Sequence, residues 1–177
     1  MSSVPPTSNI EIVGNIKILG LTVDNRLNFQ THINKTISSC GQSLFALRTL
    51  KNHGLTNEKL QHVFKTVIIP KLTYALPSFW GFLNQGNKTQ MQSFLNRATK
   101  FNYYSKNELT INDLVNHADA SLFEKILTNL KNLHILHCLL PPKRPTTSYN
   151  LRNSFPFVLP DKNDKLFINR MIYANLP

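Results

Sequence analysis

The sequence predicts a mainly α-helical fold: a small β-hairpin at the amino end, a three-helix bundle over residues 30–104, one further long helix and an irregular tail. Three observations predict it. Apolar residues recur at helical steps of three and four from residue 33 to residue 136. Alternation of period two is confined to residues 10–23. Glycine and proline punctuate the helical stretches at Gly54, Pro70, Gly86 and Pro141-Pro142.

Residues 1–8 are rich in Ser, Pro and Thr and are expected to be disordered. Over 9–29, Ile10 to Val13 alternates, Gly14-Asn15 offers a tight turn, and Ile16 to Val23 forms a second β run. Such a hairpin is marginal alone in water, so it must lie on the helices. A helix is expected from Gln30 or Thr31, with Ile33, Ile37, Cys40, Leu44 and Leu47 on one stripe and Lys35 and Gln42 opposite. Gly54 is its expected left-handed cap.

Thr56 is the expected N-cap of a second helix, which buries Leu60, Val63, Phe64, Val67 and Ile68. Pro70 lacks a donor and clashes with the preceding turn, so a kink or restart is expected there. Leu72, Ala75, Leu76 and Phe79 carry the apolar face on to Trp80, which favours a core role for the Tyr74, Phe79, Trp80 and Phe82 cluster over base stacking. Gln85-Gly86-Asn87 reads as a turn, and Met91, Phe94, Leu95, Ala98 and Phe101 mark a third helix.

Additional helices are expected over 105–142. Thr110-Ile-Asn-Asp113 has the form of a capping box and opens a short helix to about His117. Ser121-Leu-Phe-Glu124 forms a second box, followed by Leu122, Ile126, Leu130, Leu133 and Leu136 on one face. Pro141-Pro142 ends that helix. Residues 143–177 read as an extended tail, with Phe155, Phe157, Phe167 and Tyr173 as its packing candidates.

The 177 residues are 41% hydrophobic, enough for a real core, and carry a net charge of +11. That charge is uneven. Residues 17–100 hold eleven lysines and arginines against two acids, Asp24 and Glu58. The basic residues fall on three consecutive amphipathic helices, where an ordinary solvated face would mix signs. A polyanionic partner is the expectation, because Lys and Arg release counterions from phosphates.

Catalytic and metal sites are not expected. Nucleotide transfer needs neighbouring carboxylates that position two metal ions; Asp24 stands alone, and Asp161 and Asp164 read as solvated charges. His134, His137 and Cys138 have metal-like spacing but lack a partner pair, so a structural role is expected. No glycine-rich phosphate loop occurs, and no cofactor is expected. Gly20, inside the β run, marks either a bulge or a close approach of backbone or ligand. Cys40 and Cys138 fall at apolar helical positions and are expected to be buried thiols of a reducing, intracellular compartment (nucleus or cytoplasm). No signal peptide and no membrane span are expected.

The stretch Lys17-Ile-Leu-Gly-Leu-Thr-Val-Asp24, followed by Phe29 and His32-Ile33, has a distinctive order. Leu47-Arg48-x-Leu50, Gly54-Leu55, Lys71-Leu-x-Tyr-Ala75 with Pro77 and Trp80, and Leu95-Asn-Arg97-Ala98 follow it. Together these resemble the region just after the palm of non-LTR (LINE-type) retrotransposon reverse transcriptases, with Phe29 where that family usually has Trp. Tyr149-Asn-Leu-Arg152 and Asn175-Leu-Pro177 resemble the family's tail.

The resemblance implies a primer-grip hairpin, a thumb and a tail, without the catalytic palm. It implies a basic thumb-like surface against a template–primer duplex, RNA/DNA or DNA. Lys17 and Gly20 would approach the primer end, and Lys35, Lys65, Arg97 and Lys100 are the candidates for phosphate contacts. The alternatives are a helical protein-interaction module, self-associating through the surface that the palm would cover, or an unselected remnant of a transposable element. Residues 17–33 are also similar to a domain named for the amino-terminal part of an AlkB-like tRNA-modifying oxygenase. No oxygenase or methyltransferase chemistry is expected from that likeness.

Overall fold

The computed structural model describes residues 13–128, 134–144 and 156–176. The fold is mainly helical with a two-stranded antiparallel hairpin at its amino end. Strand β1 (Asn15–Ile18) pairs with β2 (Leu21–Asp24), with Ile18 opposite Leu21 and Asn15 opposite Asp24. The turn is Leu19-Gly20, not the expected Gly14-Asn15. Both turn residues have positive φ, 47° and 92°, the geometry whose twist matches that of paired strands. Gly20 is therefore neither a bulge nor a mid-strand residue: it takes the left-handed turn position that a Cβ would strain. Leu21 and Val23 pack on the helical core, so β2 supplies the hairpin's floor, while every residue of β1 is exposed. Asp24 accepts bonds from the amides of Arg26 (2.9 Å) and Asn28 (2.7 Å), shaping the loop into the first helix.

Helix α1 (Gln30–Asn52) buries Ile33, Cys40 and Leu47, with Ile37 and Leu44 half-buried on the same stripe. It ends as predicted. Gly54 has φ 89°, its amide reaches Lys51 O (3.0 Å), and the Leu55 amide reaches Leu50 O (3.1 Å). No atom lies within 4 Å of where a Cβ on Gly54 would stand. Gly54→Ala is therefore expected to cost about 1 kcal/mol through the backbone alone. A urea midpoint shifted at constant slope would register it.

A single helical rod runs from Asn57 to Thr73: α2 (Asn57–Val63), a π-helical turn (Phe64–Ile68) and α3 (Ile69–Thr73). Thr56 holds the N-cap position, but its hydroxyl makes no capping bond. Pro70 does not break the rod. The wide turn before it absorbs the missing donor and the ring's bulk, a usual role of π turns. That turn also carries Val67 outward, leaving it 52% exposed instead of buried. The break comes at Tyr74 and Ala75, where Ala75 takes φ 55° before α4 (Leu76–Phe79) and a 3-10 turn (Trp80–Phe82).

Gln85-Gly86-Asn87 is not a turn but the start of α5 (Gln85–Lys100). The Asn84 side chain accepts from the Asn87 amide at 2.8 Å, which the sequence reading overlooked. Met91, Phe94, Leu95 and Ala98 are buried, whereas Phe101 lies beyond the helix end and is exposed. Tyr103 and Tyr104 fill the core behind it.

Helix α6 (Ile111–Thr128) starts at the predicted box. The Thr110 amide and hydroxyl donate to Asp113 Oδ2 (2.9 and 2.6 Å), and the Asp113 amide returns to the hydroxyl (3.3 Å). These bonds hold the Asp113 carboxyl below its ordinary range. The helix then runs past His117 and straight through Ser121, which lies mid-helix. Nothing stops it there: Ile111, Val115, Asp119, Phe123 and Ile126 continue one buried face.

A 3-10 turn (Ile135–Leu139) carries Cys138, which is exposed, its thiol donating to Ile135 O at 3.1 Å; the expectation of a buried thiol fails because a surface turn replaces the expected helix. The segment read as an extended tail contains α7 (Phe167–Ala174), whose Ile168, Met171 and Ile172 pack with Phe123 and Ile126 as a second cluster. Phe157 is buried, and the Tyr173 hydroxyl donates to Pro160 O (2.7 Å). Residues 1–8, Ile10 to Ile12 of the expected first strand, Leu130, Leu133, Phe155, the Tyr149–Arg152 piece and Pro177 lie outside the described residues. The chain ahead of α7 crosses Gly81 so closely that a Cβ there would sit 2.6 Å from Lys165 Cα.

Candidate nucleic-acid interface

Two grooves carry most of the predicted site residues. The first lies between the hairpin, the first turns of α1 and the end of α3, and encloses about 710 Å³. Lys17 on β1, Lys35 on α1 and Lys71 on α3 line it with Gly20, His32 and Tyr74, and no carboxylate does. The Tyr74 hydroxyl donates to Leu19 O (2.9 Å), tying the hairpin turn to the end of the rod. Tyr74 Cε1 lies 3.5 Å from where a Cβ on Gly20 would be, an ordinary contact, so the positive φ and not crowding favours glycine there. Lys71 Nζ donates to Ser39 O at 3.4 Å, which steadies it across the groove.

His32 stands edge-on to Phe79, with ring centroids 5.4 Å apart. Burial, helped by the Lys35 charge, pushes its pKa below 6.5, so it is neutral at pH 7 and adds no charge to the groove. Burial also raises the nearby Cys40 thiol, against a smaller pull from Lys71, so it is no thiolate nucleophile.

The second groove, about 470 Å³, lies between the last turns of α1 and the end of α5. Arg48, Lys51 and Arg97 line it with Phe45, Phe101 and Tyr103, again without a carboxylate.

Of the six residues predicted from sequence, the structure brings Lys17, Gly20 and Lys35 together and places Arg97 in the other groove. Lys65, on the π turn, forms an ion pair with Glu108 and lines neither groove. Lys100 is exposed in the last turn of α5 and also lines neither. Lys88 lies over the Trp80 ring, 4.8 Å from its centroid, and turns away from both grooves. Lys71 and Tyr74 are the residues that sequence reasoning left out of the site. Tyr74, expected in the core, is 54% exposed because the chain breaks there, and its spacing of three from Lys71 is the signal that could have found the pair.

The carboxylates have other tasks. Asp24 shapes a loop, Asp113 caps a helix and Asp119 is buried in an ion pair with Arg170. The sequence contains one His-x-Asp triplet, His117-Ala118-Asp119. His117 is exposed and Asp119 faces Arg170, so the pair does not converge on one point. Among the described residues no three His, Cys, Asp or Glu side chains form a metal-binding group, the HxxHC stretch included. Among the same residues no helix is long and apolar enough to cross a membrane.

The chain is similar to the "Probable RNA-directed DNA polymerase from transposon BS" of Drosophila melanogaster, 31% identical over 105 residues. The match covers 54% of this chain, and the chain spans 12% of that protein's length. A region of this chain is thus related in sequence to a transposon RNA-directed DNA polymerase. No family model and no solved structure matches it.

Proposed function

We propose that this chain is a non-catalytic part of a non-LTR retrotransposon reverse transcriptase and grips template–primer nucleic acid through a basic, thumb-like surface. The observation that carries the reading is the convergence of Lys17, Lys35 and Lys71 on one groove without a carboxylate. Three ammonium groups set around one groove by a strand and two helices suit the regular phosphates of a duplex backbone. The similarity to a transposon polymerase supports a polynucleotide over other polyanions. The engagement of Asp24, Asp113 and Asp119 in folding tasks supports a binding role without nucleotide transfer.

A titration of a labelled RNA/DNA heteroduplex tests this. Three neutralised phosphates should give a slope of about −2.7 in log affinity against log salt. An affinity indifferent to salt between about 50 and 200 mM contradicts the reading.

One observation favours a second reading, self-association. Ile16 and Ile18 on β1 are half-exposed, and among the described residues no third strand pairs with the two-stranded sheet. In that case light scattering would detect a dimer that Ile16→Lys dissolves, and heteroduplex binding would be absent.

A further inference from the structure

Phosphate contacts alone do not account for the second basic groove. Phe45 is 71% exposed on α1, and Phe101 is 51% exposed just beyond α5. Both line the groove, and both present ring area to solvent beside three cations. Tyr103 is buried at its edge, with Lys51 Nζ 5.9 Å from its ring centroid. The Arg97 guanidinium lies 5.7 Å from the Phe94 ring, which steadies its charge along the groove.

We propose that this groove binds an unpaired, single-stranded stretch of polynucleotide. Its bases stack on Phe45 and Phe101, and its phosphates meet Arg48, Lys51 and Arg97. The charge selects a polyanion, since no carboxylate lines the groove to offset the three cations. The exposed rings select among polyanions. Paired bases hide their faces in the helical stack, and an acidic peptide has no π face to offer, whereas an unpaired base has one free. The site is separate from the first groove. Lys35, Thr36 and Ser39 leave α1 on one side of its buried stripe, and Gly41, Phe45 and Arg48 leave it on the other. The proposal rests on the polynucleotide reading given above, but not on the groove that carries it.

Fluorescence anisotropy with an end-labelled oligouridylate of roughly twelve nucleotides, and with an abasic strand of equal length, tests the proposal. The oligouridylate is expected to bind more tightly than the abasic strand. Phe45→Ala/Phe101→Ala is expected to weaken oligouridylate binding by about 10- to 100-fold and to leave the abasic strand and the heteroduplex unaffected. Phe45→Trp, which keeps a stacking face, is expected to retain affinity. Should the double variant fail to fold, Phe45→Ala alone carries the test with an expected loss of about 10-fold, because that side chain is exposed. Equal affinity for the two strands overturns the proposal. So does a polyglutamate peptide that binds as tightly as oligouridylate and is lost with the same variants. Lys35→Glu/Lys71→Glu separates the two sites: it is expected to weaken heteroduplex binding by about 200-fold at 50 mM salt and spare oligouridylate. Failure of the first groove to bind duplex leaves the oligouridylate result standing.

Discussion

Replacing Arg170 with alanine is expected to lower stability by about 3–5 kcal/mol, the usual cost of stranding a buried charge. Asp119 is only 3% exposed, and its Oδ2 accepts from Arg170 Nε (3.1 Å) and Nη2 (2.8 Å). Nη2 also reaches Pro77 O (3.3 Å), so one guanidinium joins α6, α7 and the start of α4. Burial raises the Asp119 carboxyl above 3.8, while the Arg170 bonds and charge pull it back. A carboxyl raised by folding binds its proton more readily in the folded state. Its contribution to stability is therefore greatest below pH 3.8 and is lost as pH rises through the raised value. Without Arg170 the opposing pull disappears and that loss deepens. Urea unfolding should accordingly show a larger deficit for Arg170→Ala at pH 7 than at pH 4. Asp119→Leu/Arg170→Leu, which removes both charges, is expected to cost far less than the single change. A deficit independent of pH, or equal in the double variant, would show that the pair acts by packing alone.

Reversing two charges in the first groove is expected to have the largest effect on binding. Lys35→Glu/Lys71→Glu removes two phosphate contacts, so the salt slope for a heteroduplex should shrink by about 1.8. If both proteins converge at 1 M salt, that change corresponds to about 200-fold weaker binding at 50 mM. A matched control, Lys106→Glu/Lys125→Glu, alters net charge equally at exposed positions outside both grooves. It is expected to change affinity only slightly, since neither residue lines either groove and exposed charges away from the contact are screened by salt. Equal losses in the two variants would mean that bulk charge, not the groove, holds the duplex.

Much of the helical core was legible because burial imposes periodicity. Ile33, Cys40 and Leu47, or Met91, Phe94 and Ala98, announce a helix face wherever they occur. Caps were legible where the side chain itself does the work, as at Thr110 and Asp113. What stayed hidden depends on backbone geometry or on distant partners. The hairpin turn went to Leu19-Gly20 because a leucine can be carried at positive φ when strand pairing fixes it, and no local rule favours that. Helix α7 is eight residues long and interrupted by Asn169-Arg170, so its pattern is too brief to stand out before Phe123 and Ile126 are seen to cover it. Half of the candidate site was legible for a similar reason. Lys17 and Lys35 sit on regular elements, but their meeting with Lys71 and Tyr74 depends on how the rod is placed against α1.

The widened turn ahead of Pro70 also sets the gearing of the rod. Leu60, Phe64, Ile68 and Leu72 follow one another at a stride of four, and all are at most 2% exposed. In an unbroken α-helix a stride of four overshoots each revolution by about 40°, so four such residues would spiral away from any one neighbour. A stretch with longer-range bonds rotates less per residue and winds the spiral back. The proline, by forcing that slack into the screw, keeps the row of side chains in line, and with it the angle at which Lys71 and Tyr74 arrive opposite the hairpin.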